Sequence, residues 1–300
     1  MELDDLFKNF LKEKRYLQNV SDWTIDFYER SYKAYKRILG PKEPTTELLK
    51  EFVIGLKMSG ISTQSVNCYI RGINSFLSWL HESGYTPEKL RIKQLPSEKK
   101  GKPTYSEQHL KAILTWKPST WTQWRLYGIL CTLIDVGARI DEVLTLQRSK
   151  INFDDLLIPL KGKGNKERIV PISPELRKIL YRWLKKHDFP LVFPTRDGVK
   201  LLHRNVLRDY QILCNKLGLE SKGFHVFRHT FAYQYAKTIA LLTGDARNGI
   251  MHLQRQLGHE SLATTRIYVD ILTEDLTLMH QKTSAHVFFD CERDSMKHIR

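Results

Sequence analysis

Between His225 and Tyr268 the chain carries the side chains needed to attack a phosphodiester: His225, Arg228, His259 and Tyr268. His225 and Arg228 are three residues apart, which on a helix puts them on one face where they can converge on a single anion. Gly258 follows the apolar run Met251, Leu253, Leu257 as a helix stop, His259 comes directly after it, and Ser261 marks a fresh start before Tyr268. A tyrosine hydroxyl has an ordinary pKa of about 10, so it attacks at neutral pH only if its proton is taken or its anion stabilised. Charge then gathers on the non-bridging phosphate oxygens, and a guanidinium suits them because it forks onto two oxygens and never loses its charge. No metal ion or other cofactor is needed for such chemistry.

Two more cations precede this stretch. Arg139 follows the turn Asp135-Val136-Gly137-Ala138 and lies at the start of an expected helix from Ile140 to Leu146, so its guanidinium and the helix amides can share one anion. The plain alternative is a surface arginine paired with Asp141 or Glu142. Lys163 sits between Gly162 and Gly164 at the tip of a hairpin in LLIPLKGKGNKERIVPI, flanked by Lys161 and Lys166. A glycine-hinged lysine can enter a groove and reach a leaving oxygen. The plain alternative is a charged turn that keeps a sheet edge soluble.

These residues need a scaffold, and the periodicity predicts one that is mainly α with a small β-hairpin, an α+β chain. Residues 1–90 read as four short helices. The first buries Leu3, Leu6, Phe7, Phe10 and Leu11; the second starts at Ser21 and stops at Gly40-Pro41; the third runs from near Thr46 to Gly60; the fourth opens at Ser62 or Thr63 and stops at Gly84. Residues 91–103 change to an extended basic linker, expected to lay Lys93, Lys99, Lys100 and Lys102 along a phosphate backbone, the plain alternative being a solvated hinge. Residues 104–300 form a second domain. It has a helix capped by Ser106, a long helix around Leu126 to Ile134, the hairpin, a helix start at Ser173-Pro174, a short LVFP strand, a helix from about His203 to Leu217, and a tail over 273–300.

The 300 residues carry a net charge of +15, shared by both halves, which predicts a polyanionic partner. No run reaches the length of a membrane span, and MELDDLFKNF is acidic and amphipathic, unlike a signal peptide, so the expected location is cytoplasmic. Cys68, Cys131, Cys214 and Cys291 are too scattered for a disulfide framework or a zinc motif and read as buried or free thiols.

Together the boxes Gly137-Ala138-Arg139-Ile140-Asp141-Glu142, the Lys163 hairpin, His225-Val226-Phe227-Arg228-His229, Leu257-Gly258-His259 and Thr264-Thr265-Arg266-Ile267-Tyr268 resemble those of the tyrosine recombinase (phage integrase) family, and residues 1–90 resemble its SAM-like core-binding domain. Ala138 and Phe227 stand where leucine is more usual, and residues 242–249 lengthen the stretch between Arg228 and His259. The resemblance implies a site-specific DNA recombinase acting through a 3′-phosphotyrosyl intermediate at Tyr268, without metal or ATP, as a tetramer on double-stranded DNA. It implies that Arg139 and Arg228 hold the phosphate, His225 serves as acid or base, His259 donates to the phosphate and Lys163 protonates the 5′-oxygen. Glu142 is expected to orient an arginine or histidine, and His229 to be a buried support. Lys161 and Lys166 join the DNA-binding lysines; the apolar tail residues Val287, Phe288 and Phe289 either pack on the chain's own core or, as the resemblance implies, the tail docks on a neighbouring protomer. A type IB-like topoisomerase and a non-catalytic DNA-binding protein of the same fold are the alternatives. No extra amino-terminal domain for arm-type sites is evident, which favours a two-domain enzyme.

Overall fold

The computed structural model describes residues 2–97, 103–162, 167–243, 253, 254, 256 and 257, with 240–243 as backbone only. Lys99, Lys100, Lys102, Lys163, Lys166, the added stretch at 244–249, His259, Tyr268, Cys291 and the tail lie outside them. The chain divides into two compact units, residues 1–100 and 101–300. No helix of the described residues is long and apolar enough to cross a membrane.

The first unit holds α1 (Leu3–Tyr16), α2 (Asp22–Leu39), α3 (Thr46–Met58) and α4 (Thr63–Glu82). Three of these starts are set by hydroxyls that accept a backbone N–H three residues on: Ser21 from Thr24, Thr45 from Leu48 and Ser62 from Ser65. The core face of each helix is the one its apolar spacing implies, and Phe10, Phe52, Leu56, Val66 and Ile70 are fully enclosed. Each such side chain contributes roughly 1.5–3 kcal/mol. Helices α2 and α4 approach closely at Gly72, where an added Cβ would stand 2.1 Å from Ser31 Oγ.

The stretch that follows is extended, as its composition implies, yet its first half is docked. Asn74 Nδ2 donates to the Ile92 carbonyl (2.9 Å) while its Oδ1 accepts the Ile92 N–H (2.8 Å). Asn67 grips Leu95 in the same two-bond fashion, at 2.9 and 2.8 Å. The two asparagines are two helical turns apart on α4 and act as a surrogate strand. Ile92 is therefore buried and Lys93 projects outward from an anchored backbone.

The second unit contains α5 (Glu107–Thr115), α6 (Trp121–Val136), α7 (Ile140–Leu144), β1 (Leu157–Lys161), β2 (Glu167–Pro171), α8 (Pro174–Leu184), α9 (His203–Leu217) and α10 (Phe224–Thr243). Ser106 and Ser173 cap α5 and α8 as expected, and Thr120 with Gln123 forms a capping box on α6. Helix α6 is central: Leu126, Ile129, Leu130, Leu133 and Val136 are all buried. Strands β1 and β2 pair antiparallel from Leu157↔Pro171 to Lys161↔Glu167, with Ile158, Leu160 and Val170 inward and Ile169 outward.

Two expectations need correction. Helix α7 ends at Leu144, two residues earlier than read from its apolar spacing. The LVFP segment is not a strand; among the described residues it makes only single bridges, Gln147↔Leu191 and Pro194↔Lys200. Val192 and Phe193 are buried as a strand core would be, but Pro190 and Pro194 offer no N–H and interrupt a ladder. Cys68, Cys131 and Cys214 are free thiols, and burial pushes the Cys131 thiol up to about 12.

Candidate active site

Helix α6 ends at Gly137, which takes the left-handed conformation (φ 62°, ψ 26°) and donates its N–H to the Leu133 carbonyl. The chain then reverses, so that Arg139 becomes the residue that opens α7 and Glu142 occupies its first turn. Glu142 folds back on the opening: it accepts the Arg139 backbone N–H at 2.8 Å and Arg139 Nη1 at 3.0 Å. The pairing foreseen as the plain alternative for Arg139 thus exists, and it leaves the arginine side chain 38 % exposed. Among the described residues, Arg139 Nε and Nη2 have no protein acceptor, so this guanidinium is anchored at one corner and open at the others.

Glu142 itself is buried and has a second arginine. Arg168, on β2, lays its guanidinium across both carboxylate oxygens, Nη1 to Oε1 at 2.7 Å and Nη2 to Oε2 at 2.8 Å. Burial alone pushes the Glu142 carboxyl up, but the Arg168 fork, the Arg139 N–H and the nearby charge of Arg228 outweigh it and hold the group below the usual carboxylate range. One carboxylate among three guanidiniums leaves the site strongly positive.

Arg228, on the second turn of α10, is buried and turned toward this junction: Nη1 donates to the Gly137 carbonyl (2.9 Å) and Nη2 to the Leu257 carbonyl (2.6 Å). His225, one turn earlier, is exposed. Both lie on α10 with the three-residue spacing expected for a shared face, His225 exposed and Arg228 with two nitrogens on carbonyl acceptors. His229 is half-buried rather than buried, and its ring stands perpendicular to that of His225 with centroids 5.3 Å apart, so the two histidines form an edge-to-face pair. Lys161 closes the described part of the hairpin and is exposed, and Lys93 is exposed on the first unit.

The start of α10 is fixed from behind by Tyr105, which precedes α5, and by Tyr210 of α9, whose ring packs on Phe224 and Phe227. The Tyr105 N–H donates to Thr230 Oγ1 (2.8 Å), its hydroxyl donates to the Gly223 carbonyl (3.2 Å), and its ring stacks on His109 at 4.1 Å. His109 Nε2 meets the Tyr210 hydroxyl at 2.9 Å. Burial, aided by the charge of Lys222, pushes the His109 pKa down; burial and Arg148 do the same to His187. Unfolded chains then take these protons first. The contribution is complete above the ordinary histidine value of about 6.5 and is lost as pH falls toward the folded-state values, at up to about 1.4 kcal/mol per pH unit for each residue. We expect the urea midpoint of the chain to fall between pH 7.5 and 5.5, and the fall to shrink in His109→Gln. An equal fall in the variant would show that His109 is not responsible.

A sequence model of the phage integrase family matches residues 104–275. The chain belongs to the phage integrase family. It is a tyrosine recombinase, similar over its length to tyrosine recombinase XerC of Chlamydia trachomatis serovar L2 (28 % identical, covering 95 % of this chain and 90 % of the relative). Tyrosine recombinase XerA of Thermococcus onnurineus is 27 % identical over 89 % of this chain and 91 % of its own. The fold is shared with the XerH site-specific recombinase bound to a palindromic difH substrate (TM-score 0.69, 19 % identity, 93 % of this chain and 83 % of that one). It is shared also with a lambda integrase dimer bound to a COC′ core site (TM-score 0.70, 16 % identity, 89 % and 77 %).

In this recombinase the structure brings together Arg139, Glu142 and Arg228 from the sequence-predicted set, and adds Arg168, which the sequence reading passed over. Its signal was present. Strand alternation places Arg168 on the same side as Val170, the buried face of β2, and a charged residue at an inward position requires a partner.

Proposed function

We propose that this tyrosine recombinase cuts and rejoins double-stranded DNA at a specific site through a 3′-phosphotyrosyl intermediate, without metal or ATP. The observation that carries the reading is the anchored, half-exposed Arg139 guanidinium at the start of α7, held by the buried Glu142 within a cluster of three arginines. That is a phosphate site preorganised before the substrate arrives. The Tyr268 oxygen attacks phosphorus, the bond to the 5′-oxygen breaks, and Lys163 supplies the proton that the 5′-hydroxyl needs. His225 takes or returns the tyrosine proton, and His259 donates to a phosphate oxygen alongside Arg139 and Arg228. The phosphotyrosyl ester keeps the energy of the broken bond, so the reverse attack by a 5′-hydroxyl reseals DNA without ATP.

His229 supports His225 across the ring pair, while Lys93, Lys99, Lys100, Lys102, Lys161 and Lys166 neutralise backbone phosphates. The net charge of +15 and the named DNA complexes of the structural relatives support a duplex as the partner. A tetramer joining two duplexes is the working assembly.

The test is a suicide substrate, nicked so that the 5′-hydroxyl fragment diffuses away, incubated with the full chain in EDTA and without nucleotide. A covalent protein–DNA band on a denaturing gel is the expected result. Absence of any adduct on substrates that the protein binds would overturn the reading, and relaxation of supercoiled DNA without recombinant products would redirect it to a topoisomerase.

A further inference from the structure

Arg168 commits all three of its guanidinium nitrogens to the protein. Besides the fork onto Glu142, its Nε donates to the Gln256 carbonyl at 3.1 Å, and its side chain is only 14 % exposed. The neighbouring carbonyl, that of Leu257, is held by Arg228. Two arginines from distant parts of the chain therefore grip adjacent carbonyls of one helical turn, and each is tied at its other end to the turn at Gly137 or the helix it opens.

We propose that Arg168 is a positioning residue of the recombinase, which occupies the Glu142 carboxylate so that Arg139 keeps its guanidinium open toward the phosphate. The proposal rests on reading Arg139 as a phosphate ligand. A buried carboxylate seeks the full set of donors its two oxygens can accept. With Arg168 in place, the oxygens are taken by the fork and by the Arg139 backbone N–H, and only one corner of the Arg139 side chain is drawn in. Without the fork, the same carboxylate offers Arg139 a two-toothed pairing three residues away, which turns the remaining N–H groups away from substrate. Lysine cannot replace the fork, because a point charge cannot span both oxygens and still reach the Gln256 carbonyl. A direct contact from Arg168 to DNA phosphate is disfavoured because all three of its nitrogens are committed to Glu142 and Gln256.

The experiment compares Arg168→Gln, Arg168→Lys, Glu142→Gln and the Arg168→Gln/Glu142→Gln double variant in the full chain, each assayed well below its own melting temperature. Single-turnover cleavage of the suicide substrate is expected to fall about 100-fold in Arg168→Gln, the scale of a misplaced catalytic group. Arg168→Lys should fall between it and wild type. DNA affinity should stay within about threefold, and the salt slope of binding should fall no further in Arg168→Gln/Arg139→Ala than in Arg139→Ala alone, since a second phosphate ligand would lower it by about another 0.9. The Arg168→Gln/Glu142→Gln variant should be hardly slower than Glu142→Gln, because the two residues act as a unit. Wild-type cleavage in Arg168→Gln, additive losses with Glu142→Gln, or a further fall of the salt slope in the Arg168→Gln/Arg139→Ala variant would each overturn the proposal. Inorganic phosphate binding to the DNA-free chain separates this proposal from the assignment of function. The component lost in Arg139→Ala should weaken about tenfold in Arg168→Gln, and an unchanged affinity would sink the positioning role whether or not wild type forms an adduct.

Discussion

Replacing Tyr268 with phenylalanine is expected to abolish the covalent protein–DNA adduct and to lower strand cleavage by more than about 10⁴-fold, while DNA affinity changes by less than about threefold. The substitution removes one oxygen and leaves the ring, so binding surface and charge are conserved and only the nucleophile is lost. The arginines and histidines would still polarise the phosphate, but no group remains to make the bond to phosphorus. Denaturing gels of the suicide-substrate reaction and equilibrium binding to the same duplex separate the two effects. An adduct that persists in Tyr268→Phe would assign the nucleophile elsewhere. Weakened binding with no separate loss of cleavage would make Tyr268 a structural residue.

The second large effect is expected at Gly137. Alanine there must hold a left-handed backbone at φ 62°, which costs roughly 1–2 kcal/mol. Its Cβ would stand 2.3 Å from Phe231 Cδ1 and 2.7 Å from Cγ, so the ring or the turn must move, at roughly 1–3 kcal/mol. We therefore expect Gly137→Ala to destabilise the chain by about 3 kcal/mol in urea unfolding. The carbonyl of the same residue is an acceptor for Arg228, and the next residue but one is Arg139, so displacement of the turn moves both guanidiniums. Cleavage by the folded fraction should fall by about 100-fold. Adding Phe231→Ala should recover the steric part of the loss and not the backbone part. If Gly137→Ala unfolds within about 0.5 kcal/mol of wild type, the close approach to Phe231 is not a constraint on this turn.

Much of the scaffold is legible in the sequence because its signals are local. A serine or threonine that caps a helix acts on an N–H three residues ahead, so Ser21, Ser62, Ser106 and Ser173 mark helix starts without knowledge of the fold. The same short range makes the hairpin and the Arg139–Glu142 pairing readable. The 191–194 segment shows where this fails. Its four apolar or proline residues state that burial is needed, and Val192 and Phe193 are indeed enclosed, but pairing depends on a neighbouring edge, and among the described residues there are only single bridges. The first half of the basic stretch after residue 90 shows the converse, an extended segment whose docking depends on Asn67 and Asn74, far from it in sequence.

The sequence by itself determined the candidate side chains and their order along the chain: two histidines, two arginines, a hairpin lysine and a tyrosine. Only the tertiary structure decided how the arginines divide their work. Arg228 is turned inward onto the Gly137 and Leu257 carbonyls, Arg139 is left half open, and Arg168 holds the carboxylate between them. The reason is physical: a side chain's type and its helical or strand face follow from neighbours three or four positions away. Which buried acceptor claims its charge depends on segments brought together from residues 137, 168 and 257, and no local pattern encodes that meeting.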